Sequence, residues 1–192
     1  MNRCALVRVF AAVAASAFLM SATAGPAAAD DKGKNNPSLT FNRGVGVDPI
    51  TCPASPLVCA GTGTVILNVV RGQQPGGQIW TINKLNATVN TDGSIQVSGK
   101  GLVLAGGNGA GGIPAAGLNV YATLSCLSTG TFALSSTPLT GVAVSSTGDF
   151  KINDKLSSPL PAACPTPLLL IQSTTNNHWF ALGIVGSDNS ND

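Results

Sequence analysis

From residue 30 onward no stretch holds a 3.6-residue apolar period long enough for a helix, because Gly and Pro interrupt it first. The chain carries 23 Gly and 12 Pro, and both residues end or weaken helices. What survives is alternation. Leu118, Val120, Ala122, Leu124 and Cys126 alternate with Asn119, Tyr121, Thr123 and Ser125, which predicts a strand with one dry face and one wet face, aiming Cys126 inward. Exposed helical surfaces are usually built from Glu and Lys; this chain has no Glu, and only 9% of its residues are charged. An all-β fold follows, a single antiparallel β-sandwich over 39–185, with strands expected at 64–70, 79–89, 94–105, 117–126, 142–145, 149–153, 168–172 and 178–185.

Two hairpins have a register that can be read from sequence. A two-residue turn at Asp92-Gly93 would set Val89 against Gln96 and mix apolar with polar on each face. A three-residue loop, Thr91-Asp92-Gly93, instead sets Val89 against Ile95 and Ala87 against Val97, with Gly93 as the left-handed residue of a bulge. The same device at Ser146-Thr147-Gly148 would set Val144 against Phe150 and Val142 against Ile152. Further from the first turn, Trp80 is expected opposite Leu104, with a bulge at Gly99-Lys100-Gly101 where the apolar face shifts.

Residues 1–29 read as a cleavable export signal. Arg3 and Arg8 precede an apolar run from Val9 to Met20 that is too short to span a bilayer, and small residues lead to Ala27-Ala28-Ala29 before Asp30. Cleavage after Ala24 is the alternative. The expected destination is extracellular, with no membrane span after cleavage. Residues 30–38 and 186–192 are polar and expected to be disordered. Past residue 29 the chain has eight Lys and Arg against eight Asp. That balance offers no basic surface for nucleic acid.

Cys52, Cys59, Cys126 and Cys164 remain after cleavage, and an oxidising destination makes two disulfides the expectation. Three connectivities are possible. The favoured one joins Cys52 to Cys59 around a Pro-rich segment and Cys126 to Cys164. A metal site is disfavoured by spacings of 7, 67 and 38 residues, by the lack of paired CxxC knuckles and by a single His.

The Thr147-Gly148-Asp149-Phe150-Lys151-Ile152 run followed by Leu156 resembles the Gly-x-Phe-x-Ile hairpin of transthyretin-like and immunoglobulin-like extracellular domains. Together with Ile79-Trp80-Thr81-Ile82-Asn83-Lys84-Leu85 and His178-Trp179-Phe180-Ala181-Leu182-Gly183-Ile184, it is similar to a group of small exported bacterial β-domain proteins without an assigned activity. The resemblance implies an exported, non-catalytic domain with immunoglobulin-like or transthyretin-like packing. It implies no site residues.

Motifs that could carry chemistry each have a plainer reading. Gly107 to Gly112 spells GxGxxG, but Pro114 and a strand follow where a phosphate-binding helix would have to start, so no cofactor is expected. His178 is the only imidazole and reads as a strand-edge residue. Ser98 and Lys100 flank a glycine and form no nucleophile elbow. Asp149, Asn153 and Asp154 could touch calcium but also suit a solvated strand end. Asn86-Ala87-Thr88 is a glycosylation sequon. Binding is harder to dismiss than catalysis, since Trp80, Trp179, Tyr121 and Phe132 could stack on sugars. Trp80 is expected in the core. Trp179 is out of phase with Phe180, Leu182 and Ile184, so Trp179 is the first expected contact for an extracellular protein or glycan, and His178 and Tyr121 are further candidates. A disulfide-braced 52–59 loop acting as an inhibitor's bait is the alternative, and a hydrolase with an unconventional Asp or Ser site is a third reading.

Overall fold

The computed structural model describes residues 37–48, 50–51, 66–106 and 111–186. Every regular element among them is a strand: β1 (Pro37–Gly46), β2 (Ile50–Thr51), β3 (Ile66–Leu67), β4 (Trp80–Thr81), β5 (Lys84–Asn90), β6 (Ser94–Lys100), β7 (Val103–Leu104), β8 (Asn119–Ser128), β9 (Thr131–Ser136), β10 (Val142–Ala143), β11 (Phe150–Lys155), β12 (Leu168–Ser173) and β13 (Trp179–Val185). Nine of them form one antiparallel sheet in the order β10-β8-β12-β13-β1-β5-β6-β11, with β9 also bonded to β8. The sheet curls into a half-barrel. Its ends approach each other, where the Ser157 N–H donates to the Ser136 carbonyl at 2.8 Å and the Ser145 N–H to the Asp149 carbonyl at 2.9 Å. Two short pairs, β2 with β3 and β4 with β7, lie outside this sheet.

The concave side holds the main core. Phe41, Leu85, Val89, Ile95, Leu102, Leu124, Leu169 and Ile171 are among its buried side chains. Burying eight side chains of this size contributes roughly 1.5–3 kcal/mol each. The first hairpin has the expected register: Val89 faces Ile95 and Ala87 faces Val97, and Gly93 sits at φ 85°. Asp92 accepts from the Ser94 hydroxyl at 2.7 Å and from its N–H at 2.9 Å. These bonds hold the Asp92 carboxyl below its ordinary pKa. Trp80 faces Leu104 as expected.

Other expectations are corrected. The strands expected at 79–89 and 94–105 are each broken in two, because Gly101 takes φ 63° and ends the ladder at Lys84 and Lys100. No bulge joins the halves. At the second hairpin Gly148 has φ 80° and the turn closes at Ser145, but the ladder stops there. Phe150 pairs with Gly99, and Val142 pairs with Val120 of β8. Gly99 leaves room for the Phe150 ring, with which a side chain at 99 would collide, while the residues before the turn pair with β8 and the Val144 N–H donates to the Leu118 carbonyl at 2.9 Å.

Two long strands were not expected at all. β1 starts at Pro37, inside the stretch 30–38 expected to be disordered; 30–36 and 187–192 lie outside the described residues. Its apolar alternation is visible only at Leu39 and Phe41, since Gly44 and Gly46 occupy the next positions where the chain crosses Leu85 and the Trp80 backbone. β9 is inverted, with Phe132 and Leu134 outward and half-exposed while Ala133 faces Cys126.

Cys126 bonds to Cys164 with Cα atoms 4.8 Å apart, as expected. The bond ties the end of β8 to the segment entering β12. Cys52 and Cys59 lie outside the described residues. Closing a 38-residue separation corresponds to about 4 kcal/mol on the loop-entropy model. The double variant Cys126→Ala/Cys164→Ala should therefore lose about 2–4 kcal/mol in urea denaturation, with an unchanged far-ultraviolet β spectrum.

Candidate functional site

Across the convex side of β5, β6 and β11, outward residues stand in rungs. Asn86 faces Ser98, which faces Lys151, and Thr88 faces Gln96, which faces Asn153. Strand geometry puts neighbours about 5 Å apart across a rung, and the next rung about 7 Å along. These six side chains line an open groove of about 460 Å³. Lys151 is its single ionisable group. The residues reached this face because period-two alternation places Leu85, Ala87, Val89, Ile95 and Val97 on the other one. The groove therefore offers amides, hydroxyls and one ammonium, which suit hydrogen bonding to a neutral or weakly anionic polar partner. It supplies no base or nucleophile pair.

Sequence reasoning did not single this groove out as a site. In the sequence Asn86 and Thr88 stand out only as a sequon, and Ser98 only beside Lys100. A signal was present in the alternation of Asn, Thr, Gln and Ser at every second position of 86–98, but the alignment of β11 beside β6 is a tertiary fact.

The expected contact residues are placed differently. Trp179 is only 2% exposed. It is indeed out of phase with Phe180, but its face is covered: it packs with Val47 and Leu170, against Val70, Trp80, Leu168 and Leu182. A bulge in β13 explains the misreading. Ile171 pairs with Ala181 while Gln172 pairs with Trp179, so Phe180 is the extra residue. Phe180 joins the main core, stacked on Trp80 at 4.6 Å, and Leu182 falls on the Trp179 side. The Trp179 Nε1 has no acceptor among the described residues.

Residues 66–78 run over this second face, as a parallel bridge between Pro75 and Trp179 records. Backbone bonds fasten it, with the Trp179 N–H donating to Gln74 and the Gly76 N–H to Trp179, both at 2.9 Å. The wet face expected for β8 is therefore dry: Tyr121, Thr123 and Ser125 are at most 3% exposed. Each finds an internal partner. The Tyr121 hydroxyl donates to Asn177 Oδ1 at 3.0 Å, and burial pushes its pKa up. Thr123 shares a hydrogen bond with Ser136 at 2.8 Å. Gln172 Nε2 donates to Gln73 Oε1 and to the Asn177 carbonyl.

Arg71 is the clasp of this cover. Its guanidinium donates to the carbonyl and hydroxyl of Ser125 and to the Thr166 carbonyl, and lies 4.7 Å over the Phe132 ring. One face of the Phe132 ring is thus taken by Arg71, while the residue stays 45% exposed. The Arg71 backbone sits at φ 51°, an uncommon conformation for a residue with a side chain.

His178 is half-buried, and its bonds are made by backbone: its N–H donates to Asn176 Oδ1 and its carbonyl accepts from Ser173. Its ring makes no hydrogen bond to a Ser or Asp side chain among the described residues. Asp149 accepts from the Gly101 N–H at 3.0 Å and lies 3.9 Å from Lys100, while Asp154 accepts from the Lys155 N–H. Asp149, Asn153 and Asp154 do not converge, and no group of three or more His, Cys, Asp or Glu is gathered among the described residues. Residues 107–110 of the glycine motif and the 52–59 loop lie outside the described residues. Comparison with protein-family models, curated proteins and solved structures finds no significant match.

Trp179→Ala should lower stability by about 3–5 kcal/mol, the usual cost of truncating a buried aromatic, measured as a fall in denaturation midpoint. An unchanged midpoint would return Trp179 to the surface. Arg71→Ala should cost about 1–3 kcal/mol by removing its charged hydrogen bonds to Ser125 and Thr166, and Arg71→Lys should recover little, because one ammonium cannot reproduce the planar fork.

Proposed function

We propose that this protein is an exported, non-catalytic interaction domain that presents the β5, β6 and β11 groove to an extracellular glycan. The observation that carries the reading is the pair of in-register rungs, Asn86-Ser98-Lys151 and Thr88-Gln96-Asn153. Side chains that both donate and accept, held at fixed spacing on a rigid sheet, match the hydroxyls of sugar rings better than they match an apolar protein surface. Export is supported by the 1–29 pattern and by the Cys126–Cys164 bond, which suits an oxidising compartment. The non-catalytic reading leans on residue supply: one His and no Glu leave few owners for a general base.

The finer packing type belongs to this proposal as well. Apolar side chains of β5, β6 and β11 face those of β8 and β12 across the main core, as the two layers of an immunoglobulin-like or transthyretin-like sandwich would. The likeness to small exported bacterial proteins points the same way.

Glycan-array screening of the protein, then titration calorimetry with the strongest oligosaccharide, tests the function. Gln96→Ala with Asn153→Ala should weaken binding at least tenfold while the melting temperature stays unchanged, since surface substitutions of this kind shift stability by only about 0.5 kcal/mol. A screen without binders, or affinity indifferent to the two substitutions, would overturn the reading.

A further inference from the structure

The seam where the sheet ends meet is incompletely filled. Past Ser157, the chain that runs beside β9 carries Pro159 and Pro161, which have no N–H with which to extend a ladder. A cavity of about 180 Å³ remains between this segment and β8 and β9. Its buried wall is Leu124, Cys126 and Leu156, and its mouth is formed by the exposed residues Ala133, Pro159 and Pro161.

The polar atoms beside it are already spoken for. Ser135 Oγ accepts from the Ser158 N–H at 2.9 Å, donates to the Ser158 carbonyl at 3.1 Å and meets Ser157 Oγ at 3.2 Å. A water needs two to four polar partners to be held, so the apolar floor of this open pocket holds water weakly and favours an apolar ring of benzene size. The segment that lids the cavity is braced at both ends. Leu156 donates to the Gly93 carbonyl and Ser157 to that of Ser136, and Cys164 is bonded to Cys126. These ties oppose collapse of the pocket.

We infer that this seam cavity is a binding site for a small free apolar molecule, of the size of a single aromatic ring, held beneath a lid that the Cys126–Cys164 disulfide keeps in place. The cavity is too small for more than one ring, and a partner's side chain would have to enter past the prolines at the mouth. The site is separate from the glycan groove, so failure of either leaves the other standing.

Ligand-observed NMR with toluene tests the inference. The oxidised protein should show saturable binding. Ala133→Phe, which fills the cavity from its mouth, should weaken binding at least tenfold at an unchanged melting temperature. Reduction of the disulfide in still-folded protein should weaken it at least threefold. Leu156→Ala, which enlarges the cavity, should shift preference from toluene toward naphthalene at least fivefold. Absence of saturable toluene binding in the folded wild type overturns the inference, as does affinity unaffected by Ala133→Phe. If Ala133→Phe fails to fold, an unchanged toluene-to-naphthalene preference in Leu156→Ala overturns it.

Discussion

Burying both faces of β8 and β12 obliges every hydroxyl, amide and phenol on their outer side to find a partner inside the protein. An unsatisfied buried polar group costs about 1–3 kcal/mol. Arg71 and Gln73 of the 66–78 cover meet this demand at Ser125 and Gln172, Ser136 meets it at Thr123, and Asn177, in the turn between β12 and β13, meets it at Tyr121 and Gln172. Where β5, β6 and β11 have a single core face and a solvated one, β8, β12 and β13 are buried on both. The domain is thus asymmetric. One half of the curled sheet is the interior, and the other half is free to present side chains outward.

That asymmetry decides which surfaces are open to partners. Both tryptophans that a sugar platform would need are spent on structure: Trp80 stacks on Phe180 and Trp179 fills the second core, while Phe132 has one face under Arg71. The convex groove is left with amides, hydroxyls and Lys151. Recognition there would be built from hydrogen bonds rather than from stacking, and such contacts favour polar, hydroxylated ligands. The seam cavity has the opposite chemistry, because its polar neighbours satisfy one another.

Several features were legible in the sequence because they depend on local chemistry. The β class follows from Gly and Pro spacing, the Val89–Ile95 register from matching apolar positions across a Gly-containing loop, and the inward aim of Cys126 from strict alternation in β8. β1 and β9 were not legible. In β1, glycines replace side chains where the strand crosses Leu85 and Trp80, so half of its period is silent. In β9 the larger apolar residues point out, toward Arg71 and the rim, while Ala133, opposite Cys126, stays exposed at the mouth of the seam pocket.

The candidate site divides along the same line. Sequence alone determined that polar residues alternate along 86–98, that catalytic residue types are scarce, and that Cys126 could reach an interior partner, since each of these depends on residue chemistry and a two-residue period. Only the tertiary structure decided that β11 lies beside β6 and completes the rungs, and that a bulge at Phe180 turns Trp179 under the 66–78 cover. It also decided that the prolines after Ser157 leave a void at the seam. Strand partners and covering segments are chosen by long-range packing, and a strand's own pattern states which face is apolar without stating what will come to cover the other.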